Sequence, residues 1–283
     1  MRVLCIGSGL VATRFAEIAR SQGHHVLGTT TTESKLDSLA EVFDEARLLV
    51  GSDGPAVAAA AEDCDAVVVT AGPSAQQAMS VEDRAATYEE ILVGTARSVA
   101  SVPGEPQLVM LSALSVYGHA ADHLEVIDED APTTDSDDPS PAMFLAAERT
   151  YRDAAATRTT ILRCADIYGD SDPPIEAKVK MAHEHLGGSV PFGAEALFYR
   201  VHVADVAAAV LFALESRLVG TFNLTHSAVP ASNRELFDAV GAAQALPGLE
   251  FRDEIAAPTR PISVQRLAEA GFTAEVTQPF AAG

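Results

Sequence analysis

Residues 1–12 read Met1-Arg2-Val3-Leu4-Cys5-Ile6-Gly7-Ser8-Gly9-Leu10-Val11-Ala12, and this stretch decides the fold class of the chain. The apolar run before Gly7 predicts a buried strand, and the residues after Gly9 have the composition and spacing of a helix. Gly7 permits a tight turn between the two elements, Gly9 lets the backbone come close to a ligand, and Ala12 lets the helix lie against the sheet.

A strand, a glycine turn and a helix start together predict a loop that binds the diphosphate of a dinucleotide. The first amide groups of a helix lack partners within the helix, and the helix dipole favours an anion at the same place. A glycine turn without any ligand is the alternative interpretation. The residues predicted to contact the cofactor here are Gly7, Ser8, Gly9, Leu10 and Val11.

Short β-rich runs alternate with alanine-rich helical stretches along most of the chain; the strands include Leu48 to Val50, and one long helical region covers about Ala78 to Val99. Apolar strands separated by helices are typical of a parallel sheet that is buried on both faces. The sequence thus predicts an α/β fold, a single NAD(P)-binding Rossmann-type domain over residues 1–283 with a doubly wound parallel sheet. Its less regular parts, 170–200 and 220–283, predict a small C-terminal lobe on the substrate side.

The composition argues against several classes of function. Forty acidic residues against nineteen basic ones give a formal net charge of −21, which repels nucleic acid and anionic membrane surfaces. The three cysteines lack the spacing of a metal site or a disulfide framework, so we interpret them as reduced thiols. No stretch has the ~18–20 continuous apolar residues that cross a bilayer, and glycines break the apolar start before it resembles an export signal. We therefore expect a cytoplasmic protein whose partner is a small-molecule substrate.

The end of the second predicted strand bears on the choice between NAD and NADP. It reads Gly28-Thr29-Thr30-Thr31-Thr32-Glu33-Ser34-Lys35, with no acid at the position where an NAD site places a carboxylate for the ribose. Thr30 and Thr31, with Lys35 nearby, supply hydroxyls and a positive charge that suit a 2′-phosphate, so NADP is favoured over NAD. The alternative is that the threonines form a turn and Lys35 is a solvated helix residue.

Several segments, in their order and spacing, carry a family resemblance over nearly the full length. They resemble the extended and atypical short-chain dehydrogenase/reductases, the superfamily that includes the NAD-dependent epimerases and dehydratases. The matching segments are Val3 to Ala12, Val67-Val68-Val69-Thr70-Ala71-Gly72, Leu111-Ser112-Ala113-Leu114-Ser115-Val116-Tyr117-Gly118, Leu162-Arg163-Cys164-Ala165-Asp166-Ile167-Tyr168-Gly169, Val201-His202-Val203-Ala204-Asp205-Val206 and Gly220-Thr221-Phe222-Asn223-Leu224.

The resemblance implies further contacts with the cofactor. Asp53, just beyond the third strand, would contact the adenine, with an ordinary turn-forming role as the alternative. Ala71, Gly72 and Pro73 would line the cofactor ribose, and the backbone around Ala165 would face the nicotinamide.

The resemblance breaks at the catalytic residues. In this family a Tyr transfers a proton with help from a Lys four residues later, whose charge lowers the Tyr pKa. Alignment backward from Leu145-Ala146-Ala147-Glu148 puts Ser140 and Phe144 at these two positions, and Ala113 stands where the family's Ser or Thr belongs. The usual acid/base pair is therefore missing from the sequence.

Five residues are predicted as substitutes near the cleft. Ser112 and Tyr117 are the candidates for catalysis, and Tyr168, Arg200 and His202 are those for substrate binding. Both tyrosines are predicted to end strands that open on the cleft, with structural packing as the alternative. Arg200 would grip a substrate phosphate or pair with an acid, and His202 would titrate near neutrality or hydrogen-bond at a helix start.

These observations leave two main hypotheses for function. The first is an atypical NADP(H)-dependent oxidoreductase or epimerase-like enzyme that acts on a small or nucleotide-linked carbonyl or hydroxyl substrate. The second is a catalytically silent cofactor-binding protein, a sensor or interaction module; a true nucleotide-sugar epimerase is disfavoured by the missing pair.

His183 and His185 indicate an exposed helix end, so no metal is predicted. The resemblance also implies a homodimer through Ala78 to Val99 and Ala142 to Ala156.

Overall fold

The structure, a computed structural model, describes residues 1–72, 81–136 and 138–276. Its strands, in chain order, are β1 Arg2–Ile6, β2 His25–Thr30, β3 Glu45–Leu48, β4 Ala66–Val69, β5 Gln107–Ala113, β6 Thr159–Cys164, β7 Asp166–Tyr168, β8 Ser189–Phe192, β9 Arg200–His202, β10 Gly220–Leu224 and β11 Glu250–Ile255. Its α-helices are α1 Leu10–Ser21, α2 Leu36–Val42, α3 Gly54–Ala60, α4 Val81–Tyr88, α5 Thr95–Ala100, α6 Pro139–Ala155, α7 Ile175–His185, α8 Val203–Glu215, α9 Asn233–Ala243 and α10 Gln265–Ala270. A π-helical turn, Glu89–Gly94, joins α4 to α5.

The central sheet is parallel, and its strand order reverses beside β1. Within the described ranges it has seven strands in the order β10-β6-β5-β4-β1-β2-β3. The chain moves outward from β1 to the edge strand β3, then returns to the other side of β1 with β4. This topology confirms the predicted doubly wound sheet, and its switch point between β1 and β4 is where such sheets bind ligands.

Helices cover both faces of the sheet, which explains why its strands are apolar almost throughout. Val3 and Cys5 of β1 belong to the apolar cluster that includes α1 and α8. Leu4 and Ile6, on the opposite face, belong to the cluster that includes α3, α5 and α6. Because successive side chains of a strand point to opposite faces, a strand between two helical layers has to be apolar at every position.

The C-terminal lobe has an apolar cluster of its own. Residues of α7, β8 and α9 pack there, among them Ile175, Val190 and Phe237, and β8 pairs with β11 in a two-stranded parallel sheet. Ser232 caps α9, because its side chain accepts from the Glu235 amide while the Glu235 carboxylate accepts from the Ser232 amide. The stretch 220–224, which the sequence assigned to this lobe, is β10 of the central sheet instead.

Several predicted boundaries differ from the structure. The third strand is Glu45–Leu48 rather than Leu48 to Val50, because β3 is a half-exposed edge strand whose polar residues hide it from a search for apolar runs. The long predicted helix is divided by the π-helical turn, and its start at 78–80 lies outside the described residues. No helix in the described part of the chain is long and apolar enough to cross a membrane.

A buried ionic network joins α6 to β5 and β6. The Glu148 carboxylate, on α6, is completely buried and receives two hydrogen bonds from the buried Arg163 guanidinium of β6, at 3.0 Å from Nε and 2.7 Å from Nη2. Ser112 Oγ donates to the same carboxylate at 2.6 Å, and Arg152 Nη1 donates at 3.0 Å. Burial by itself raises the Glu148 pKa, but the hydrogen bonds and charge of Arg163 outweigh it, so the net shift is downward.

Tyr117 extends this network to β10. Its ring is fully buried beneath the Arg163 guanidinium, 5.0 Å from ring centroid to Cζ. The Tyr117 hydroxyl accepts from Arg163 Nη1 at 3.0 Å and donates to Asn223 Oδ1 at 2.7 Å. The backbone N–H of Asn223 in turn donates to the carboxylate of Glu129 at 2.8 Å, which ties the acidic loop to the sheet.

We expect that removing either partner of the Glu148–Arg163 pair destabilises the protein. Glu148→Leu or Arg163→Met leaves one buried charge without its partner, which costs about 3–5 kcal/mol of unfolding free energy. The double variant should cost less than either single variant, because no uncompensated charge remains. Chemical denaturation of the four proteins measures this, and losses that simply add in the double variant would contradict the pairing.

The same pair predicts how stability depends on pH. The folded-state pKa of Glu148 lies below its ordinary value of 4.5, so the stability that its carboxylate contributes is fully present above pH 4.5. The contribution is lost as the pH falls below 4.5 and through the folded-state pKa, because the unfolded chain then binds the proton first. Wild type should therefore lose stability between pH 5 and pH 3 more steeply than the double variant Glu148→Leu/Arg163→Met. Chemical denaturation at each pH measures the free energy of unfolding, and each pKa unit between the unfolded and folded states corresponds to roughly 1.4 kcal/mol of that free energy. Equal slopes would show that Glu148 does not retain this charge.

Candidate functional site

A cleft lies over the C-terminal ends of β1, β2, β3 and β4. It has a volume of about 520 Å³ and is lined by the segments 6–9, 29–32, 49–52 and 71–72. Lys35 and one face of the helical region after β4 complete the lining. The cleft therefore sits at the switch point of the sheet, where the topology leads one to expect a ligand.

The turn after β1 is shaped for close approach of an anion. Gly7 has a φ of +89°, and a Cβ there would lie 2.8 Å from the backbone of Ala71, so a larger residue would not fit. Its amide donates to Thr29 Oγ1 at 3.1 Å, and its carbonyl accepts from Thr70 Oγ1 at 2.7 Å. These contacts hold the turn in place and leave its outer side open, since nothing lies within 4 Å of the position that a Cβ on Gly9 would take.

The start of α1 is not capped by any side chain. Gly9 is the N-cap residue, so the first amide groups of the helix have no side-chain acceptor. Ser8 Oγ, in the same turn, is buried and has no hydrogen-bond partner among the described residues. An orphaned hydroxyl, open amides and a glycine cradle together fit the diphosphate of a dinucleotide.

The other two residues predicted in this turn serve mainly the packing. The side chain of Val11 is only 7% exposed and belongs to the core. Leu10 is half exposed, and its Cδ2 atom lies 3.3 Å from where a Cβ on Gly169 would be. Neither side chain is part of the cleft lining, so a cofactor contact by these two residues rests on their backbone amides.

The end of β2 brings Thr30, Thr31 and Lys35 into the cleft, as the sequence places them together. Thr30 Oγ1 accepts from the Thr32 amide at 3.1 Å, which shapes the turn. Lys35 forms no ion pair with any described residue. No carboxylate lies between residues 29 and 32, so this rim offers hydroxyls and an ammonium group to a ligand.

Asp53 does not line the cleft, although the sequence predicted an adenine contact for it. Its Oδ1 accepts from the Ala56 amide at 3.1 Å, and the residue is the N-cap of α3. The side chain is committed to the helix start, which is the turn-forming alternative. The residues that line the cleft after β3 are Leu49, Val50, Gly51 and Ser52.

Ala71 and Gly72 line the cleft after β4, where the resemblance placed them, and Pro73 lies outside the described residues. The Ala71 amide donates to the Ile6 carbonyl at 2.9 Å and so closes the floor beneath Gly7. Ala165 is buried, and its amide donates to the Leu224 carbonyl at 3.0 Å. Ala165 is thus not part of this lining, and its contact with the nicotinamide stays a prediction.

The two predicted catalytic residues are both engaged in the buried network. The Ser112 hydroxyl donates to Glu148, and the Tyr117 hydroxyl bridges Arg163 and Asn223. Burial raises the Tyr117 pKa, which disfavours its ionised form. The expectation that Tyr117 opens on the cleft is wrong, because the chain turns into a 3₁₀ segment after β5 and directs the ring into the core.

The three predicted substrate residues do lie together, on β7 and β9. Arg200 Cζ is 4.2 Å from the centroid of the Tyr168 ring, and the His202 ring centroid is 5.0 Å from that of Tyr168. Arg200 Nε and Nη2 approach the carboxylates of Asp166 at 3.2 Å and Asp172 at 3.5 Å. The Arg200 charge is therefore balanced by acids of this chain. Pairing with an acid is the alternative to binding a substrate phosphate that the sequence left open.

His202 has the structural role proposed as its alternative. Its Nδ1 accepts from the Ala204 amide at 3.2 Å, so His202 caps the start of α8. Because Nδ1 accepts, the proton of the neutral ring is on Nε2, which faces Asp170 Oδ1 at 3.3 Å. Among residues 1–72, 81–136 and 138–276, no group of three or more His, Cys, Asp or Glu side chains is arranged to hold a metal ion.

One wall of the cleft was not predicted from the sequence. This wall is a helical face after β4, whose members have the spacing i, i+3, i+4 and i+8: Thr87, Glu90, Ile91 and Thr95. That spacing marks one face of a helix in the sequence, but it does not show whether the face lines a cleft or a core. The wall therefore became visible only once α4 and the π-helical turn were packed against the sheet.

Comparisons with known proteins agree with this geometry. The family model of the NAD dependent epimerase/dehydratase family matches residues 4–224. No curated protein matches the chain in sequence.

Three solved structures illustrate the likeness of fold. A short-chain dehydrogenase/reductase superfamily protein from Agrobacterium tumefaciens with bound NAD has 21% identity and a TM-score of 0.75, covering 98% of this chain and 93% of that one. A UDP-glucose 4-epimerase from Thermotoga maritima with UDP-glucose has 17% identity and a TM-score of 0.71, covering 98% and 94%. A dTDP-4-dehydrorhamnose reductase from Bacillus anthracis in complex with NADP has 17% identity and a TM-score of 0.69, covering 96% and 93%.

The match to the family model covers well over half of the chain, and the sheet order and glycine turn are those that the resemblance implies. The chain belongs to the NAD dependent epimerase/dehydratase family.

Proposed function

We propose that this protein binds NADP(H) in the cleft over β1 to β4, and that it does so without the Tyr–Lys proton-transfer chemistry of its family. The observation that carries the proposal is the uncapped start of α1 beside the buried Ser8 hydroxyl, which has no hydrogen-bond partner within the described ranges. Gly7 and Gly9 leave the space that the diphosphate needs, and the amides of the helix start supply its hydrogen bonds.

The preference for NADP over NAD rests on the rim after β2. Thr30 and Thr31 supply hydroxyls there, and Lys35, which forms no ion pair in the described part of the chain, supplies a positive charge in a chain whose acids far outnumber its bases. A 2′-phosphate gains charge-assisted hydrogen bonds from such a rim. An NAD site has a carboxylate at this place for the ribose hydroxyls, and none lies between residues 29 and 32.

The residues at the reaction end favour a silent binder over an enzyme. The bound cofactor would supply or accept a hydride, and a family enzyme adds a proton through its Tyr–Lys pair. Ser140 and Phe144 occupy those two positions, and Phe144 packs between the two apolar clusters of the core. The substitutes Ser112 and Tyr117 are held in the buried network. We therefore infer a sensor or interaction module that reports on the cofactor by binding it.

A second candidate is an atypical oxidoreductase acting on a small or nucleotide-linked carbonyl or hydroxyl compound. It is favoured by the family match and by neighbours described as a reductase and an epimerase. Such an enzyme would need a proton donor other than the family's pair. Four expectations from the sequence stay predictions: a cytoplasmic location, a small-molecule partner, no nucleic-acid or membrane partner, and a homodimer. The homodimer would form through α6 and the helical region that follows β4.

Titration with the two cofactors tests the binding proposal. We expect wild type to bind NADPH more tightly than NADH, and Lys35→Ala to weaken NADPH by about tenfold while leaving NADH unchanged, since a charged hydrogen bond to phosphate is lost. Lys178→Ala, which removes an ammonium group outside the cleft, is the matched control. Calorimetry measures the affinity of each of the three proteins for each of the two cofactors. Failure of well-folded wild type to bind either cofactor would overturn the proposal, and an NADH preference would overturn its NADP part.

A turnover assay separates the two candidates. We expect wild type to bind NADPH without oxidising it when a panel of aldehydes, ketones and nucleotide-linked sugars is added. Tyr117→Phe should bind NADPH as wild type does, yet lose about 1–3 kcal/mol of unfolding free energy, because Asn223 and Arg163 lose a buried partner. Stereospecific NADPH oxidation by wild type would favour the oxidoreductase, and its loss in Tyr117→Phe at unchanged stability would restore a catalytic role to that hydroxyl.

A further inference from the structure

A carboxylate lies on the wall of the cleft that the sequence analysis missed. Glu90 is exposed, is part of the π-helical turn, and lines the cleft together with Ser52 from the loop after β3. Ser52 Oγ donates a hydrogen bond to Glu90 Oε1 at 3.3 Å. Glu90 forms no ion pair with Lys, Arg or His among the described residues, so its other oxygen can accept a hydrogen bond from a ligand.

Two glycines bring this wall and the loop after β3 into contact. A Cβ on Gly51 would lie within van der Waals radii of Thr95 Oγ1, and one on Gly94 would lie 2.9 Å from the Ser52 Cβ. The backbones approach closely because both positions lack a side chain. The relative positions of Ser52 and Glu90 are therefore set by packing, rather than left to two exposed side chains.

The same end of the cleft has apolar sides. Leu49, which is 7% exposed, and the half-buried Ile91 line it, one from the loop after β3 and one from the π-helical turn. Apolar walls with a few placed polar groups are typical of sites for flat ring systems. Asp53, the residue expected to read the base, is turned away and caps α3.

We propose that Glu90, held by Ser52, reads the adenine of the cofactor by accepting a hydrogen bond from its exocyclic amino group. This inference rests on the proposed function and names a specificity-determining residue of the same site. The second oxygen of this carboxylate can accept a hydrogen bond only from a donor, and the exocyclic amino group is the donor that the adenine base offers. In this chain, Glu90 thus takes the role that the resemblance assigned to Asp53.

Hypoxanthine dinucleotides test the inference, because they replace the amino group by an oxygen that a carboxylate repels. We expect wild type to bind NADPH about tenfold more tightly than its hypoxanthine counterpart, the ratio that one charged hydrogen bond gives. Glu90→Gln should reduce this ratio to about twofold or less, since an amide both donates and accepts. Calorimetry with NADPH, NADH and both hypoxanthine counterparts gives the ratios directly, without any assay of turnover.

Two variants serve as controls. Glu89→Gln removes the same charge from a neighbouring residue that lines an adjoining pocket of about 440 Å³ but not the cleft, and Asp53→Asn keeps a good helix cap. Both should keep the wild-type ratio, and circular dichroism checks that each variant is folded.

Each contrary outcome has its own meaning. No base discrimination by wild type, or full discrimination by Glu90→Gln, would overturn the inference while the binding of NADPH stands. A change of the NADPH to NADH ratio in Glu90→Gln, with base discrimination intact, would place the carboxylate at the ribose and also overturn it. Loss of discrimination in Asp53→Asn would return the role to Asp53. Failure of wild type to bind any of the four dinucleotides would overturn the proposed function itself.

Discussion

The open start of α1 is the constraint on which the rest of this structure depends. Backbone amides at a helix start need acceptors, and here Gly9 stands at the N-cap and offers no side chain to them. The glycine turn that creates this opening is possible only because Gly7 lies against the backbone of Ala71 without a side chain. The turn, the uncapped helix and the unpartnered Ser8 hydroxyl thus form one arrangement, which a bound diphosphate would complete.

The other half of the sheet, beyond β4, holds a buried ionic network. Glu148 and Arg163 are buried there as an ion pair, and the hydroxyls of Ser112 and Tyr117 hydrogen-bond to its members. A buried ion pair is stable only while its charged groups are hydrogen-bonded, and these two hydroxyls supply part of that hydrogen bonding. The protein combines an open cleft at the switch point of the sheet with a buried network in which the hydroxyls of Ser112 and Tyr117 are already hydrogen-bonded. The proposed binding without turnover rests on that combination.

Much of the fold and part of the site could be predicted from the sequence. The doubly wound sheet followed from apolar strands alternating with helices, and the cleft residues of the glycine turn and of Thr30 and Thr31 followed from their place after β1 and β2. The roles of Asp53 and Tyr117 did not follow. Either side chain can face a cleft or satisfy a local partner, and the choice depends on the turn angles after β3 and β5, which the residue type does not reveal.

The sequence by itself determined the layered α/β architecture and the loop for a diphosphate, because both depend on local rules: the period of apolar residues and the conformational freedom of glycine. It also determined that Ser140 and Phe144, rather than Tyr and Lys, precede Leu145-Ala146-Ala147-Glu148, on which the proposed loss of the Tyr–Lys pair rests. Only the tertiary structure decided that Glu90 and Ser52 meet at the cleft and that Tyr117 meets Arg163 and Asn223 in the core. These contacts join residues that are distant in the chain, and close packing of the helices on the sheet brings them together.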